Sequence, residues 1–119
     1  MNHRDYIILQ KIVKEIKIAE EFTNEMSAET FMQDEKSKRA VCMTVINIGE
    51  LVKAVTGTTR KKYDKVQWKE AAGFRDIAAH KYQTLNMMDV YQTIKEDFPV
   101  FQKQLEEILE KENDEKSNM

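Results

Sequence analysis

Apolar residues spaced like one face of an α-helix dominate the first part of this chain. They recur at three- and four-residue steps, separated mostly by lysine and glutamate: Leu9, Ile12, Val13, Ile16 and Ala19. An amphipathic helix buries such a stripe, whereas a half-buried strand alternates with period two. The pattern predicts a first helix from about Asp5 to Glu25, with Asp5 as its N-cap.

A second apolar pattern runs from Glu35 to Val55, after a predicted N-cap at Asp34. Its main seam consists of Val41, Val45, Ile48, Val52 and Val55, and a second apolar face consists of Ala40, Met43, Ile46, Leu51 and Ala54. A helix with two apolar faces is either central in its fold or shared with a partner subunit. Gly57 is suited to a left-handed C-terminal cap of this helix.

Two charged residues, Arg39 and Glu50, belong to this second helix. They lie eleven residues apart, which is about three helical turns, so they project from one side with Asn47 nearby. Two interpretations remain open: an exposed polar stripe, or a buried polar network whose charges need partners. We keep Arg39 and Glu50 as supporting candidates for a site.

The rest of the chain also favours helices. Its 119 residues include only 3 glycines and 1 proline, and no Asn-Gly or Asp-Gly pair marks a hairpin. A third helix opens at Val66-Gln67-Trp68, and a last helical element runs from about Met87 to Leu109. Pro99 lies inside that element and either kinks one helix or begins another.

The predicted organisation is one all-α domain over residues 1–110, followed by a charged, flexible tail over 111–119. The chain contains no long apolar run and no signal-peptide pattern, which predicts a cytoplasmic protein without a membrane contact. Cys42 is the single cysteine and lies in an apolar stretch, so a buried, inert thiol is expected.

The charge balance limits how the chain could bind nucleic acid. With 19 basic and 21 acidic residues the net charge is −2, so any RNA contact must be local. The most basic segment contains Arg60, Lys61, Lys62 and Lys65. These side chains are either solvated surface charges or a rim that steers RNA phosphates.

A compact set of reactive side chains occurs at Arg75, His80 and Tyr82. They supply a planar cation that fits phosphate oxygens, an imidazole that moves protons near neutral pH, and a hydroxyl. Five helical residues turn by about 500°, so Arg75 and His80 converge only if the helix ends or tightens near His80. His3 is far away in sequence, and no metal or cofactor site is expected.

Several motifs in order resemble the HEPN superfamily, and more narrowly the HepT-like toxins whose partner is the nucleotidyltransferase MntA. The matching pieces are Phe31 with Arg39-Ala40-Val41, Ile48-Gly49-Glu50, Trp68, Arg75 to His80 with Tyr82, and Asp97-Phe98-Pro99. Together they span about residues 5 to 110. The resemblance implies an antiparallel bundle of four to five helices that forms a homodimer.

The resemblance also implies an activity. Arg75 and His80 would be the catalytic residues of a metal-independent endoribonuclease that acts on tRNA or mRNA and does not cleave DNA, and Asp76 would support them. An asparagine is often found where this chain has Asp76, which adds a negative charge to the cleft. Tyr82 matches the hydroxyl to which the MntA-like antitoxin attaches AMP, which silences the toxin.

A second function fits the same residues. The acidic net charge and Asp76 beside Arg75 are also compatible with a non-catalytic HEPN-like binding or scaffold subunit for a nucleotidyltransferase. The two hypotheses differ in whether the purified chain cleaves RNA.

Overall fold

The computed structural model describes residues 1–73 and 86–117, with side chains as far as residue 113. All regular structure in these residues is helical, which confirms the predicted all-α class. The helices are α1 (His3–Thr23), α2 (Ala28–Gln33), α3 (Glu35–Ala54), α4 (Gly57–Lys62), α5 (described over 68–73), α6 (Met87–Gln92) and α7 (Phe98–Ser117), with a π-helical segment at Thr93–Asp97.

Helix α6, the π-helical segment and α7 form one continuous helical path around Pro99. Thr93 and Phe98 both have right-handed helical dihedral angles, and the Phe98 N–H donates to the Thr93 carbonyl five residues earlier. In a regular α-helix the ring of Pro99 would crowd the carbonyl of Lys95. The widened turn directly before the proline relieves this clash, so Pro99 lies within one helix and does not begin a separate one.

Counted in this way, the described residues contain six helices, more than the four to five that were predicted. The difference comes from two six-residue helices, α2 and α4, in segments where no helix was predicted. Each is too short to show a helical apolar period in the sequence. Each nevertheless has a side-chain N-cap: Ser27 accepts from the Thr30 N–H, and Thr56 accepts from the Thr59 N–H.

Helix α1 packs against both α3 and α7. Near the start of α1, the Asp5 carboxylate accepts hydrogen bonds from Thr56, which lies just beyond the end of α3. Helices α1 and α3 are therefore antiparallel. At the other end of α1, the Lys95 ammonium donates to the Thr23 carbonyl over 2.6 Å, close to where α7 begins. The predicted stripe of α1 is confirmed, because these residues are buried: Leu9, Ile12, Val13, Ile16 and Ala19.

The α3 prediction is confirmed in its bounds, its N-cap and its main seam. Asp34 accepts from the Ser37 N–H, and the five predicted seam residues are all at most 2% exposed. The second apolar face differs, since Met43 is 58% exposed while Ile46 and Leu51 are half-buried. The face is therefore only partly covered within the described part of one chain.

The ends of α1 and α3 correct two capping predictions. Asn2 caps α1, and Asp5 instead lies in the first turn with its side chain completely buried. Gly57 is the first residue of α4, and no described glycine has a positive φ. Val55, in extended conformation, closes α3. Only Val55 and Thr56 connect α3 to α4, so Gly57 lies inside α4 and does not cap α3.

The C-terminal end of α7 extends into residues 111–119, which were predicted to be a charged, flexible tail. The helix continues to Ser117, and Glu112 is only 8% exposed. Its carboxylate accepts hydrogen bonds from Lys62 and from the Tyr63 hydroxyl. Because Glu112 is buried and bonded to Lys62 and Tyr63, α7 packs against the end of α4 as far as Glu112.

Candidate functional site

Four predicted site residues, Arg75, Asp76, His80 and Tyr82, lie outside the described residues. The structure describes the part of α5 that leads into them. There the Trp68 indole N–H donates to the Tyr63 carbonyl over 3.0 Å, and its ring meets Phe101 edge-on at 6.3 Å. The start of α5 is therefore anchored on both α7 and the turn after α4.

Ala71, Ala72 and Gly73 are the last described residues of α5, and all three are half-buried. Among the described residues, no heavy atom would lie within 4 Å of a Cβ atom added at Gly73.

The two supporting candidates on α3 are exposed. The Arg39 side chain is 62% exposed and forms a 3.0 Å ion pair with Glu35 one turn earlier. Glu50 and Asn47 are also exposed. Of the two interpretations left open by the sequence, the structure matches the polar stripe. Exposed pairs of this kind contribute about 0–1 kcal/mol to stability.

Glu50 also lines an open groove between α1 and α3. The groove has a volume of about 390 Å³, and its other lining residues include Lys11, Lys14, Glu15 and Asn47. Two lysines thus stand across from the α3 polar stripe. The sequence could not indicate Lys11 and Lys14, because only the antiparallel pairing of α1 with α3 places them there.

The basic segment is divided between the short helix α4 and the turn after it. Arg60, Lys61 and Lys62 occupy the last turn of α4, where cations interact favourably with the helix dipole. Lys61 and Lys65 are exposed, whereas Arg60 is half-buried with its Nε atom out of contact with water. The Lys62 ammonium lies 3.0 Å from the Glu112 carboxylate. The four side chains therefore do not form one uniform basic rim.

The electrostatics of Glu112 and Tyr63 follow from their contact. Burial opposes the charge of Glu112, but hydrogen bonds from Tyr63 and Lys62 outweigh it and lower the pKa of this carboxyl. Burial, together with the hydrogen bond to Glu112, raises the pKa of Tyr63 to about 12. At neutral pH the pair is thus a carboxylate accepting from a neutral phenol.

A second pocket lies between α5 and the start of α7. Its volume is about 220 Å³, and its lining includes the aromatic residues Phe98 and Phe101 and the acidic residues Glu70 and Asp97. The π-helical segment contributes Thr93 and Asp97. This pocket could not be predicted from the sequence, because its residues are distant along the chain and come together only when α5 packs on α7.

Within the described residues, no group of three or more His, Cys, Asp or Glu side chains could hold a metal ion. None of the described helices combines the length and apolar character needed to cross a bilayer. Cys42 is buried against Met87, with 3.9 Å between the sulfurs, and burial raises the pKa of its thiol.

Comparison with known proteins gives one consistent result. The family described as "Ribonuclease HepT-like" matches residues 12–108. A protein of Caldanaerobacter subterraneus subsp. tengcongensis named "Putative RNase" is 38% identical over 87% of this chain and 93% of its own length. "Probable ribonuclease HepT" of Thermococcus cleftensis is 32% identical over 90% of this chain and 96% of its own. No solved structure gives a significant match.

These matches agree with the order of motifs in the sequence and with the all-helical fold of the described residues. The family match covers most of the chain and includes α3, α5 and the residues between α5 and α6. The chain therefore belongs to the HepT-like ribonuclease family.

Proposed function

We propose that this protein is a metal-independent endoribonuclease in which Arg75 and His80 act on RNA. The observation that carries the proposal is the family match over residues 12–108, which includes both side chains. Two relatives that match this chain over almost their whole length are named as ribonucleases. Asp76 is the supporting neighbour of Arg75.

The chemistry needs few groups because RNA carries its own nucleophile. His80 removes the proton of the 2′-hydroxyl or protonates the leaving 5′-oxygen, since an imidazole titrates near neutral pH. Arg75 stabilises the negative charge that develops on the phosphate oxygens. The products are a 2′,3′-cyclic phosphate and a free 5′-hydroxyl, and DNA is resistant because it lacks the 2′-hydroxyl.

Cleavage of tRNA and mRNA in the presence of EDTA tests this proposal. Arg75→Ala and His80→Ala should abolish cleavage and leave the circular dichroism spectrum unchanged. Arg4→Ala and His3→Ala are matched controls, because these two exposed residues carry the same groups at the start of α1. Cleavage that survives in both site variants would remove the assignment to Arg75 and His80.

We further propose that the protein is the toxin of a toxin–antitoxin pair and that an MntA-like nucleotidyltransferase silences it by attaching AMP to Tyr82. Support comes from the ordered motifs, which include Tyr82 two residues after His80. Co-expression with the nucleotidyltransferase should increase the intact mass by whole AMP units that map to Tyr82. Tyr82→Phe should stay unmodified, and Tyr91→Phe, which changes the half-buried tyrosine of α6, is the control.

We also propose that the protein forms a homodimer whose interface is the partly uncovered apolar face of α3. Met43 is 58% exposed on this face, next to the half-buried Ile46. Met43→Glu should therefore shift the protein towards monomer in light scattering, whereas Glu introduced at the equally exposed Val100 of α7 should not. A monomeric wild-type protein would contradict the proposal.

The scaffold hypothesis predicts different outcomes for the same samples. A non-catalytic subunit would form a stable complex with the nucleotidyltransferase, cause no growth arrest when expressed alone, and keep both properties after His80→Ala. The support for it is the acidic net charge of −2 together with Asp76.

A further inference from the structure

A third pocket, here called the Tyr63 pocket, lies between α7 and the turn after α4. Its volume is about 240 Å³, and its described lining residues are Tyr63, Val66, Gln104, Glu107, Ile108 and Lys111. Val66 and Ile108 are only 8% and 5% exposed, so the lining includes buried apolar side chains. A pocket of this size accepts one flat ring system and is too small for a folded element.

Helix α7 contributes four of these residues from a single face. Gln104, Glu107, Ile108 and Lys111 follow one another at steps of three, one and three residues, and such positions are neighbours on a helix surface. Glu107 and Lys111 are exposed, and Gln104 is half-buried. This face therefore carries an amide, a carboxylate and an ammonium group beside apolar surface.

The side chain of Tyr63 is held at both of its ends. The Tyr63 N–H donates to the Thr59 carbonyl over 3.1 Å, and the Tyr63 carbonyl accepts from the Trp68 indole over 3.0 Å. The Tyr63 hydroxyl donates to the Glu112 carboxylate. A ring fixed in this way loses little conformational freedom when a ligand binds, and aromatic side chains are the surfaces on which bases of single strands stack.

Positive charge surrounds the same ring. The Lys111 ammonium lies 5.9 Å from the centre of the Tyr63 ring, close to the outer limit of about 6 Å for a cation–π contact. Lys61 and Lys65 are exposed, and each is two residues away from Tyr63 in the chain. An aromatic ring among exposed cations is typical of sites that bind single-stranded nucleic acid, where the cations contact the phosphates.

The described lining contains one carboxylate, that of Glu107, and a carboxylate discriminates between bases. Guanine has two neighbouring donors, N1–H and the 2-amino group, which the two oxygens of one carboxylate can accept in parallel. Adenine, cytosine and uracil each have an acceptor atom beside their donor, and a carboxylate repels that acceptor. The amide of Gln104 can donate to the guanine carbonyl. These groups favour guanine.

From this arrangement we infer that the Tyr63 pocket binds a guanine base of single-stranded RNA. The base stacks on Tyr63, Glu107 accepts from its N1–H and 2-amino groups, and Lys111 contacts a phosphate of the same strand. The choice of RNA over a free guanine nucleotide rests on the proposed ribonuclease function. Among RNA strands, those with an unpaired guanine should therefore bind most tightly.

Fluorescence anisotropy with two labelled pentanucleotides, UUGUU and UUAUU, tests the inference. Both carry 2′-fluoro groups in place of the 2′-hydroxyls, so they bind without being cleaved through a 2′-hydroxyl. Base preference is thus measured independently of Arg75 and His80, whose failure would appear only in the cleavage assay. The wild type should bind UUGUU about tenfold more tightly than UUAUU, because the hydrogen bonds to Glu107 are charge-assisted.

Three variants separate base contacts from phosphate contacts. Glu107→Gln should bind the two RNAs equally. Glu110→Gln is the matched control, because it removes an exposed carboxylate of α7 that does not line the pocket, and it should keep the preference. Lys111→Ala should weaken both RNAs to the same extent and lower the salt dependence by about one phosphate contact. All three positions are exposed, so thermal unfolding should stay unchanged.

A further ligand distinguishes RNA from a free nucleotide. Guanosine monophosphate should bind about tenfold more weakly than UUGUU, because it lacks the neighbouring phosphates. Equal affinity for guanosine monophosphate and UUGUU would overturn RNA as the ligand. Equal binding of UUGUU and UUAUU to the wild type, or a preference for guanine that survives Glu107→Gln, would overturn the guanine site itself.

Discussion

The buried carboxylate of Asp5 accepts a 2.6 Å hydrogen bond from the hydroxyl of Thr59, 54 residues further along the chain. It also accepts from the Thr56 hydroxyl over 2.6 Å and from the Thr56 N–H over 3.2 Å. Burial opposes the charge of Asp5, but the bonds from Thr56 and Thr59 outweigh it and lower the pKa of this carboxyl. One side chain thus joins the start of α1 to the start of α4.

This junction predicts a clear loss of stability on substitution. Thr59→Val keeps the shape of the side chain and removes one donor to a buried carboxylate, so the free energy of unfolding should fall by about 2 kcal/mol. Urea unfolding followed by circular dichroism measures it. Thr58→Val, at the exposed neighbouring position, should change stability by less than about 0.5 kcal/mol. Equal effects of the two variants would contradict the role of Asp5 as acceptor.

Acid should weaken the fold through Asp5 and Glu112. Both carboxyl groups have lowered pKa values in the folded state, so the unfolded chain binds more protons in acid. The two carboxylates therefore contribute fully to the free energy of unfolding only above their unfolded pKa values of about 4. The free energy of unfolding should therefore fall as pH drops below about 4. In Asp5→Asn the fall should be shallower, because the carboxylate is already absent. A parallel pH profile for this variant would show that Asp5 is not a source of the dependence.

Alkaline pH should act through Tyr63, whose pKa is raised to about 12 by burial and by its hydrogen bond to Glu112. A raised pKa in the folded state stabilises the protein below the unfolded value of about 10, and this contribution is lost as pH rises towards 12. At pH 7, Tyr63→Phe should cost about 1.5 kcal/mol, since a buried carboxylate loses a donor. Urea unfolding of both proteins at pH 7 and 11 measures the difference, which should shrink at pH 11.

A control separates the hydrogen bond from the charge of Glu112. Glu112→Gln keeps an acceptor for the Tyr63 hydroxyl and loses the ion pair with Lys62. The phenol in this variant should titrate at lower pH than in the wild type when absorbance is followed, with Tyr63→Phe subtracted to isolate Tyr63. An unchanged titration would mean that burial alone raises the pKa.

The basic residues around α4 should separate into two groups in RNA-binding assays. Lys61→Ala and Lys65→Ala remove exposed charges, so each should reduce the salt dependence of RNA binding by about one phosphate contact. Lys62→Ala breaks the ion pair with the buried Glu112, so its main effect should be lower stability. Fluorescence anisotropy with labelled RNA at several salt concentrations measures the first effect. Equal salt slopes for all three variants and the wild type would exclude this segment from the RNA contact.

How far the sequence could predict the fold depended on the length of each element. Helices α1 and α3 have 21 and 20 residues, long enough for the apolar period to define their bounds and their buried faces. Helices α2 and α4 have six residues each, and their caps resemble ordinary turn residues. At Asp5 the local sequence pattern indicated an N-cap. It could not show that Thr56 and Thr59, more than 50 residues away, donate hydrogen bonds to the Asp5 carboxylate.

For the candidate site, the sequence indicated Arg75, Asp76, His80 and Tyr82 as its residues. It also indicated the family, and the comparisons confirm the family. The roles of these four residues stay predictions. The exposure of Arg39 and Glu50, and the division of the basic segment by the contact between Lys62 and Glu112, came only from the structure.

The residue pattern by itself determined the helical class, the faces of the long helices and the membership of the HepT-like ribonuclease family, because helical periodicity and ordered motifs are local properties of the chain. Tertiary structure alone decided which charges are buried and which pockets exist. Asp5 and Thr59 are distant in sequence, and so are Glu112 and Tyr63. They meet because of how whole helices pack, and the burial that helps to shift the pKa values of Asp5, Glu112 and Tyr63 follows from that packing.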